Sequence, residues 1–280
     1  MAKVYDAMRR AEEERRRLAS LSAPPGTDGL WEEPEASMAP SKSIPLWRRM
    51  LQAGSNRSED GANDMNKRRI SLLQPDSFVA EQFRTLRGRI DSVAAHRPIT
   101  SIAVSSANSN EGKSTASINL AAVTAMSLGR KVLLVDCDLR RARVHSSLGL
   151  NPESGIAEVL LGQASLDEAI VKVGDLNLEV LGVRQAPPNP SELLASSQMR
   201  ELVAEVSSRY DRVILDTPAT LGLPDSKIVS ELCDGLVVVV RAGVTPREDL
   251  HATLDILDSQ RLLGVVLNGV EASRDQYGYY

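Results

Sequence analysis

Ile99-Thr-Ser-Ile-Ala-Val-Ser105 leads directly into Ser106-Ala-Asn-Ser-Asn-Glu-Gly-Lys-Ser-Thr115. The first segment is short, apolar and β-branched, which suits a strand buried on both faces. The second is small and polar, ends in Gly112-Lys-Ser114, and opens a helical stretch, Lys113–Leu128, that stops at Gly129. Strand, loop and helix in this order match the phosphate-loop pattern G-x-x-x-x-G-K-[ST]. Gly112, Lys113 and Ser114 fit it, and Ala107 stands at the first glycine. The physics survives that change, because backbone N–H groups of the loop (Ala107, Asn108, Ser109, Asn110, Glu111) and of the helix start still face anionic oxygens. Lys113 would reach the terminal phosphates, Ser114 would ligate Mg²⁺, and Thr115 joins loop to helix. Asn108 and Asn110 belong to a residue type that tolerates positive φ, so the loop can curl. The bland alternative is a polar turn that caps a helix, which Gly-Lys-Ser alone would not exclude.

Working outward, further apolar runs alternate with helical stretches. Lys131–Val135, Leu178–Leu181, Arg212–Leu215, Gly235–Arg241 and Gly264–Asn268 read as strands. Ser77–Ile90, Glu192–Ser208 and Pro246–Gln260 read as helices, the first with Phe78, Phe83, Leu86 and Ile90 as its apolar side. The expected fold is a doubly wound, mostly parallel α/β sheet with helices on both faces. Aromatic residues are 3% of the 280, so Val, Ile, Leu and Ala must build the core.

Two more strand ends carry acids. Val132-Leu-Leu-Val135 stops at Asp136-Cys-Asp138, and Val213-Ile-Leu215 delivers Asp216-Thr-Pro218. In an extended segment Asp136 and Asp138 point the same way, which suits Mg²⁺ or a general base, and either can equally be structural. Asp216 can hold Mg²⁺ through water. Each acid alone is an ordinary turn residue; three at the carboxyl edge of one sheet form a ligand site.

The remainder of the chain reads differently. Residues 1–20 are a charged helix with a thin stripe of Val4, Met8 and Ala11, and residues 21–65 hold five of the fourteen prolines and read as a disordered linker. Trp47, in Ile44-Pro-Leu-Trp-Arg-Arg-Met-Leu51, is an apolar island there. The folded domain is expected over 66–270, followed by a tail, 271–280. No stretch approaches the roughly 20 apolar residues of a membrane span, and the start lacks an export region. Cys137 and Cys233 sit in apolar runs and suggest no disulfide. A cytoplasmic protein is expected. Thirty-three basic against 37 acidic residues leave no general nucleic-acid coat.

Glu111-Gly-Lys-Ser-Thr115 and the apolar run closing on Asp136-x-Asp138-x-Arg140 resemble the bacterial tyrosine kinases, within the deviant-Walker ATPases that include chromosome-partitioning proteins. Gly155–Gly162, Pro187–Leu194, Tyr210–Pro218 and Leu263–Asn268 are similar to segments of that family, and Val4–Glu12 to starts of its polysaccharide-linked members. Partitioning-type ATPases carry a signature lysine where this chain has Asn108, and the family's kinases end in a tyrosine cluster, here Tyr277-Gly-Tyr-Tyr280. Glu81-Gln-Phe-Arg84-Thr-Leu-Arg87 resembles the family's E-x-x-R-x-x-R subunit-contact motif.

The resemblance implies an ATP- and Mg²⁺-dependent tyrosine autokinase that works in a ring of copies and phosphorylates Tyr277, Tyr279 and Tyr280 in trans. It implies Asp136 as acceptor of the tyrosine proton, Asp138 with Ser114 and Asp216 at the metal, and Asn268 at the adenine. It also implies a separate membrane protein of the polysaccharide chain-length class as activator, holding the chain at the inner membrane face, and a tyrosine phosphatase that resets the tail. Departures are Ala107, Asn110 for a usual glycine, and Ala219 for the second proline of Thr-Pro-Pro. They keep open a weakly active regulatory ATP-binding subunit. A partitioning-type ATPase is the third reading, opposed by the missing lysine.

Overall fold

A computed structural model describes residues 69–127 and 129–270. The N-terminal helix, the linker and the tyrosine tail expected from the sequence lie outside the described residues. The order is α1 (Ile70–Leu73), α2 (Phe78–Ala94), β1 (Ser101–Ser106), α3 (Lys113–Ala125), β2 (Val132–Asp136), α4 (Val144–Leu148), α5 (Ile156–Leu160), α6 (Leu166–Ala169), β3 (Ile170–Lys172), β4 (Leu178–Leu181), α7 (Pro190–Ala195), α8 (Ser197–Arg209), β5 (Arg212–Asp216), α9 (Asp225–Ser230), β6 (Gly235–Arg241), α10 (Arg247–Ile256) and β7 (Leu262–Asn268).

Seven strands form one sheet in the order β3-β4-β2-β5-β1-β6-β7. Every neighbouring pair is parallel except β3 with β4. Strand side chains alternate between two cores. Ile102, Val104, Leu134 and Ile214 pack with α2 and α3 residues such as Ile90 and Ile118. Ala103, Leu133, Val135 and Leu215 pack on the other face with Ile156, Leu194, Met199 and Val206. The doubly wound sheet expected from the sequence is therefore present. Both cysteines are buried and free, and act as small apolar side chains.

Four details depart from expectation. The stretch read as one helix over 192–208 is two, broken at Ser196, whose extended backbone (φ −68°, ψ 163°) closes α7 and whose hydroxyl accepts from the Met199 N–H of α8. Strand β3 and the short helices α4, α5, α6 and α9 are too brief to show a period. Phe78 is 40% exposed, and Ala80 takes its place on the buried side of α2. Lastly, Arg212 is buried inside β5, where it donates to Asp91 of α2 (3.0 Å) and to the Ile99 carbonyl, while Arg130 donates to the same Asp91 (2.7 Å). Among the described residues no helix is long and apolar enough to cross a membrane.

Candidate active site

The loop between β1 and α3 curls as its residues require. Asn110 adopts φ 65°, alone among the described non-glycine residues in having positive φ, so the second of the two asparagines makes the turn. Gly112 caps α3 at φ 101°, and a Cβ there would meet the Asn268 amide nitrogen at 2.0 Å. Both facts demand glycine. Asn268 Nδ2 donates to the Glu111 carbonyl (3.0 Å), so the end of β7 props the loop from outside. Gly112→Ala is expected to introduce strain of roughly 1–3 kcal/mol, lowering nucleotide affinity about tenfold or more. Affinity measured with a fluorescent ATP analogue checks this.

Glu111 does not face the ligand side. It is buried; its carboxylate accepts from the Asn108 N–H (3.0 Å) and from the Thr245 hydroxyl (2.5 Å). The Asn108 amide donates to Asp249 on α10 (2.7 Å). The position of the partitioning lysine is thus tied to this subunit's own α10. Thr245 and Asp249 escaped the sequence reading. The available signal was a Thr-Pro step before a helix at the carboxyl end of β6, beside β1.

Lys113, Ser114 and the acids converge. Asp136 and Asp216 are paired across β2 and β5. Ser117 Oγ donates to Asp216 (2.9 Å), and Ser114 donates to it too. Burial pushes the Asp216 carboxyl up to about 6, against the opposing pull of Lys113 and of the Ser114 and Ser117 hydroxyls. Burial, then the charge of Asp216, pushes Asp136 well above the usual carboxylate range.

The structure corrects the expectation that Asp136 and Asp138 point the same way. Asp136 is the last residue of β2 and fully buried; its oxygens accept from the N–H groups of Asp138 (3.1 Å), Arg143 (3.0 Å) and Val144 (3.0 Å). The chain has left the strand by Asp138, so alternation no longer governs it. Asp138 is half-buried and lines a cavity of about 710 Å³ with Asn110, Gly112, Lys113, Ser114 and Asn268. Asp138, not Asp136, is the acid on that wall.

The donors suit Mg²⁺ with a nucleotide. They are all oxygen, and among the described residues no cluster of three His, Cys, Asp or Glu is arranged as a protein-only metal cage. A small hard cation that keeps waters and shares phosphates needs only the Ser114 hydroxyl and one or two carboxylates.

The E-x-x-R-x-x-R residues, expected at a subunit contact, are partly engaged within the chain. Arg84 pairs with Glu81 and donates to the Pro75 carbonyl (2.6 Å), and Arg87 donates to the Val123 carbonyl at the end of α3 (2.7 Å). Glu81 has the most exposed side chain of the Glu81–Arg84 pair, at 60%.

A phosphate loop at the carboxyl edge of a parallel sheet, facing acids from two neighbouring strands, defines a P-loop nucleotide-binding domain. In agreement, a family model described as an AAA domain matches residues 99–258. The tyrosine-protein kinase YwqD of Bacillus subtilis is 39% identical over 219 residues, covering 77% of this chain and 92% of that protein. Tyrosine-protein kinase Wzc of Salmonella typhi is 32% identical over 216 residues, which are 75% of this chain but only 30% of its own length. The solved kinase domain of Escherichia coli tyrosine kinase ETK superposes with TM-score 0.69 at 31% identity, over 75% of this chain and 84% of that one. The chain belongs to the bacterial tyrosine-protein kinase family.

Proposed function

We propose that the chain transfers the γ-phosphoryl group of MgATP to tyrosines, chiefly Tyr277, Tyr279 and Tyr280 of a neighbouring copy. The convergence of Lys113, Ser114 and Asp138 on one cavity, with the buried Asp216 behind Ser114 and Lys113, carries this reading. MgATP supplies the phosphoryl donor and a divalent charge. The loop amides and Lys113 hold the phosphates and offset charge that develops during transfer. Ser114 and Asp216 hold the metal, Asp216 through water. Asn268 borders the base. Asp138 is the acid that meets the tyrosine hydroxyl, whose pKa near 10 makes a proton acceptor useful at neutral pH. Asp136 positions it, because its carboxylate holds the loop that carries Asp138.

In the cell, this activity would regulate polymerisation and export of an exopolysaccharide or capsule. A membrane protein of the chain-length class would recruit and activate the chain, and a phosphatase would reset it. Copies would meet through Glu81, Arg84 and Arg87, with Arg84 and Arg87 exchanging their present partners for a neighbour's. Each phosphotyrosine adds roughly −1.5 to −2 charges, and their repulsion would loosen the ring.

The test is incubation with MgATP followed by intact-mass and phosphopeptide analysis. Phosphate on Tyr277, Tyr279 or Tyr280, absent when all three are Phe, supports the proposal. ATP binding without phosphotyrosine, even beside the activating partner, would favour the regulatory reading instead.

A further inference from the structure

The formal net charge of the chain is −4, yet Leu139-Arg-Arg-Ala-Arg143 sets three guanidiniums in four residues immediately after Asp138. Arg140 is accounted for: it donates to the buried Asp225 (3.0 Å) and to Ser191 (2.9 Å), which clamps the loop to α9 and α7. Arg141 and Arg143 are different. Both are exposed, both line the cavity with Asp138, and neither guanidinium has a partner among the described residues.

Their backbone is nonetheless held. The Arg141 N–H donates to Asp138 (3.0 Å) and the Arg143 N–H to Asp136 (3.0 Å). The backbone from which the two guanidiniums extend is therefore kept at a set place relative to the acid on the cavity wall. They enter from the β2 side with Asp138, whereas the phosphate cradle is built by the β1–α3 loop and Lys113. Two arginines with no partner among the described residues, at the rim of a cavity that also holds Lys113, are suited to recognise anions.

We propose that Arg141 and Arg143 select the substrate, favouring tyrosines that acidic residues precede. This rests on the kinase reading above and adds to it a substrate class. The chain's own tail has the pattern, with Glu271 and Asp275 ahead of Tyr277. Asp275 lies two residues before Tyr277, roughly 7 Å along an extended strand, within reach of a long arginine side chain when the tyrosine meets Asp138.

The experiment compares the peptide of residues 271–280 with its Glu271→Lys, Asp275→Lys form as substrates of the full chain. The swapped peptide should show a KM about tenfold higher, the worth of two solvent-facing ion pairs. That gap should shrink as salt is raised. In Arg141→Glu/Arg143→Glu the preference should invert while the KM for ATP stays the same; in Arg141→Lys/Arg143→Lys it should persist, which separates charge from folding. Anisotropy of the same labelled peptides on MgADP-loaded protein gives affinities without turnover. Equal KM values and equal affinities for the two peptides would overturn the proposal, as would charge reversal that raises the KM for ATP and leaves that for peptide unmoved. If neither peptide is phosphorylated, the kinase reading fails, and the anisotropy comparison alone decides whether the arginines read acids.

Discussion

Lys113→Met should reduce phosphotyrosine formation by about 10²–10³-fold or more, the range seen when one preorganised electrostatic donor is removed from a transition state. Lys113 is almost wholly buried at the start of α3, with its charge facing Asp216. Methionine keeps the length and apolar stem, so α3 should remain folded and circular dichroism unchanged. The loss is then one of charge. The phosphates lose their one ammonium, and Asp216 loses the cation that opposes its desolvation. Initial rates of phosphotyrosine formation check this. A variant with more than a tenth of normal activity would show that Lys113 is not at the phosphates.

Asp216→Asn should divide stability from function. The Asp216 carboxyl sits at about 6 in the folded chain, above its ordinary value of 3.8, because of burial. Between those values the folded state keeps a proton that the unfolded state has lost. Stability therefore falls as pH rises from about 4 to about 6, and the full penalty applies above that. An amide carries no such charge. Without nucleotide or Mg²⁺, the variant should be more stable than the parent at pH 8 by about 1–3 kcal/mol, roughly 3–8 °C in Tm. The gap should close as pH approaches 4, where both side chains are neutral. With Mg²⁺ and ADP the order should reverse, since the variant loses a metal-holding carboxylate and about 10–100-fold in metal affinity. Thermal melts across pH, with and without MgADP, measure both arms. A variant less stable than the parent at pH 8 without ligand would contradict the account of Asp216.

Much of this site was legible before any coordinates. Apolar runs without polar alternation announce strands buried on both faces, and in a parallel sheet every such strand delivers its carboxyl end to one edge. Asp136, Asp216 and the loop before Lys113 could thus be assigned to a common edge from order alone. The resemblance to tyrosine kinases rested on those same segments. Side-chain direction beyond the strands was not legible. Alternation holds only while the backbone stays extended, and β2 ends at Asp136. Asp138 therefore turned out to the cavity while Asp136 stayed buried behind it. Glu111 is a similar case: its position in the loop suggested a place near the nucleotide, yet its carboxylate turns inward to Thr245, a contact set by strand order across 134 residues.

By itself, the sequence determined the sheet, its central strands and the glycine, lysine and serine of the phosphate loop, because these depend on local hydrophobicity, backbone freedom and short-range spacing. Only the tertiary structure decided which acid reaches the cavity, that Arg84 and Arg87 are engaged within the chain, that Ser196 divides one helical stretch into two, and that Arg141 and Arg143 stand beside Asp138 without partners among the described residues. Those outcomes depend on where strands far apart in sequence end beside one another, and on which hydrogen-bond partners each polar group finds there.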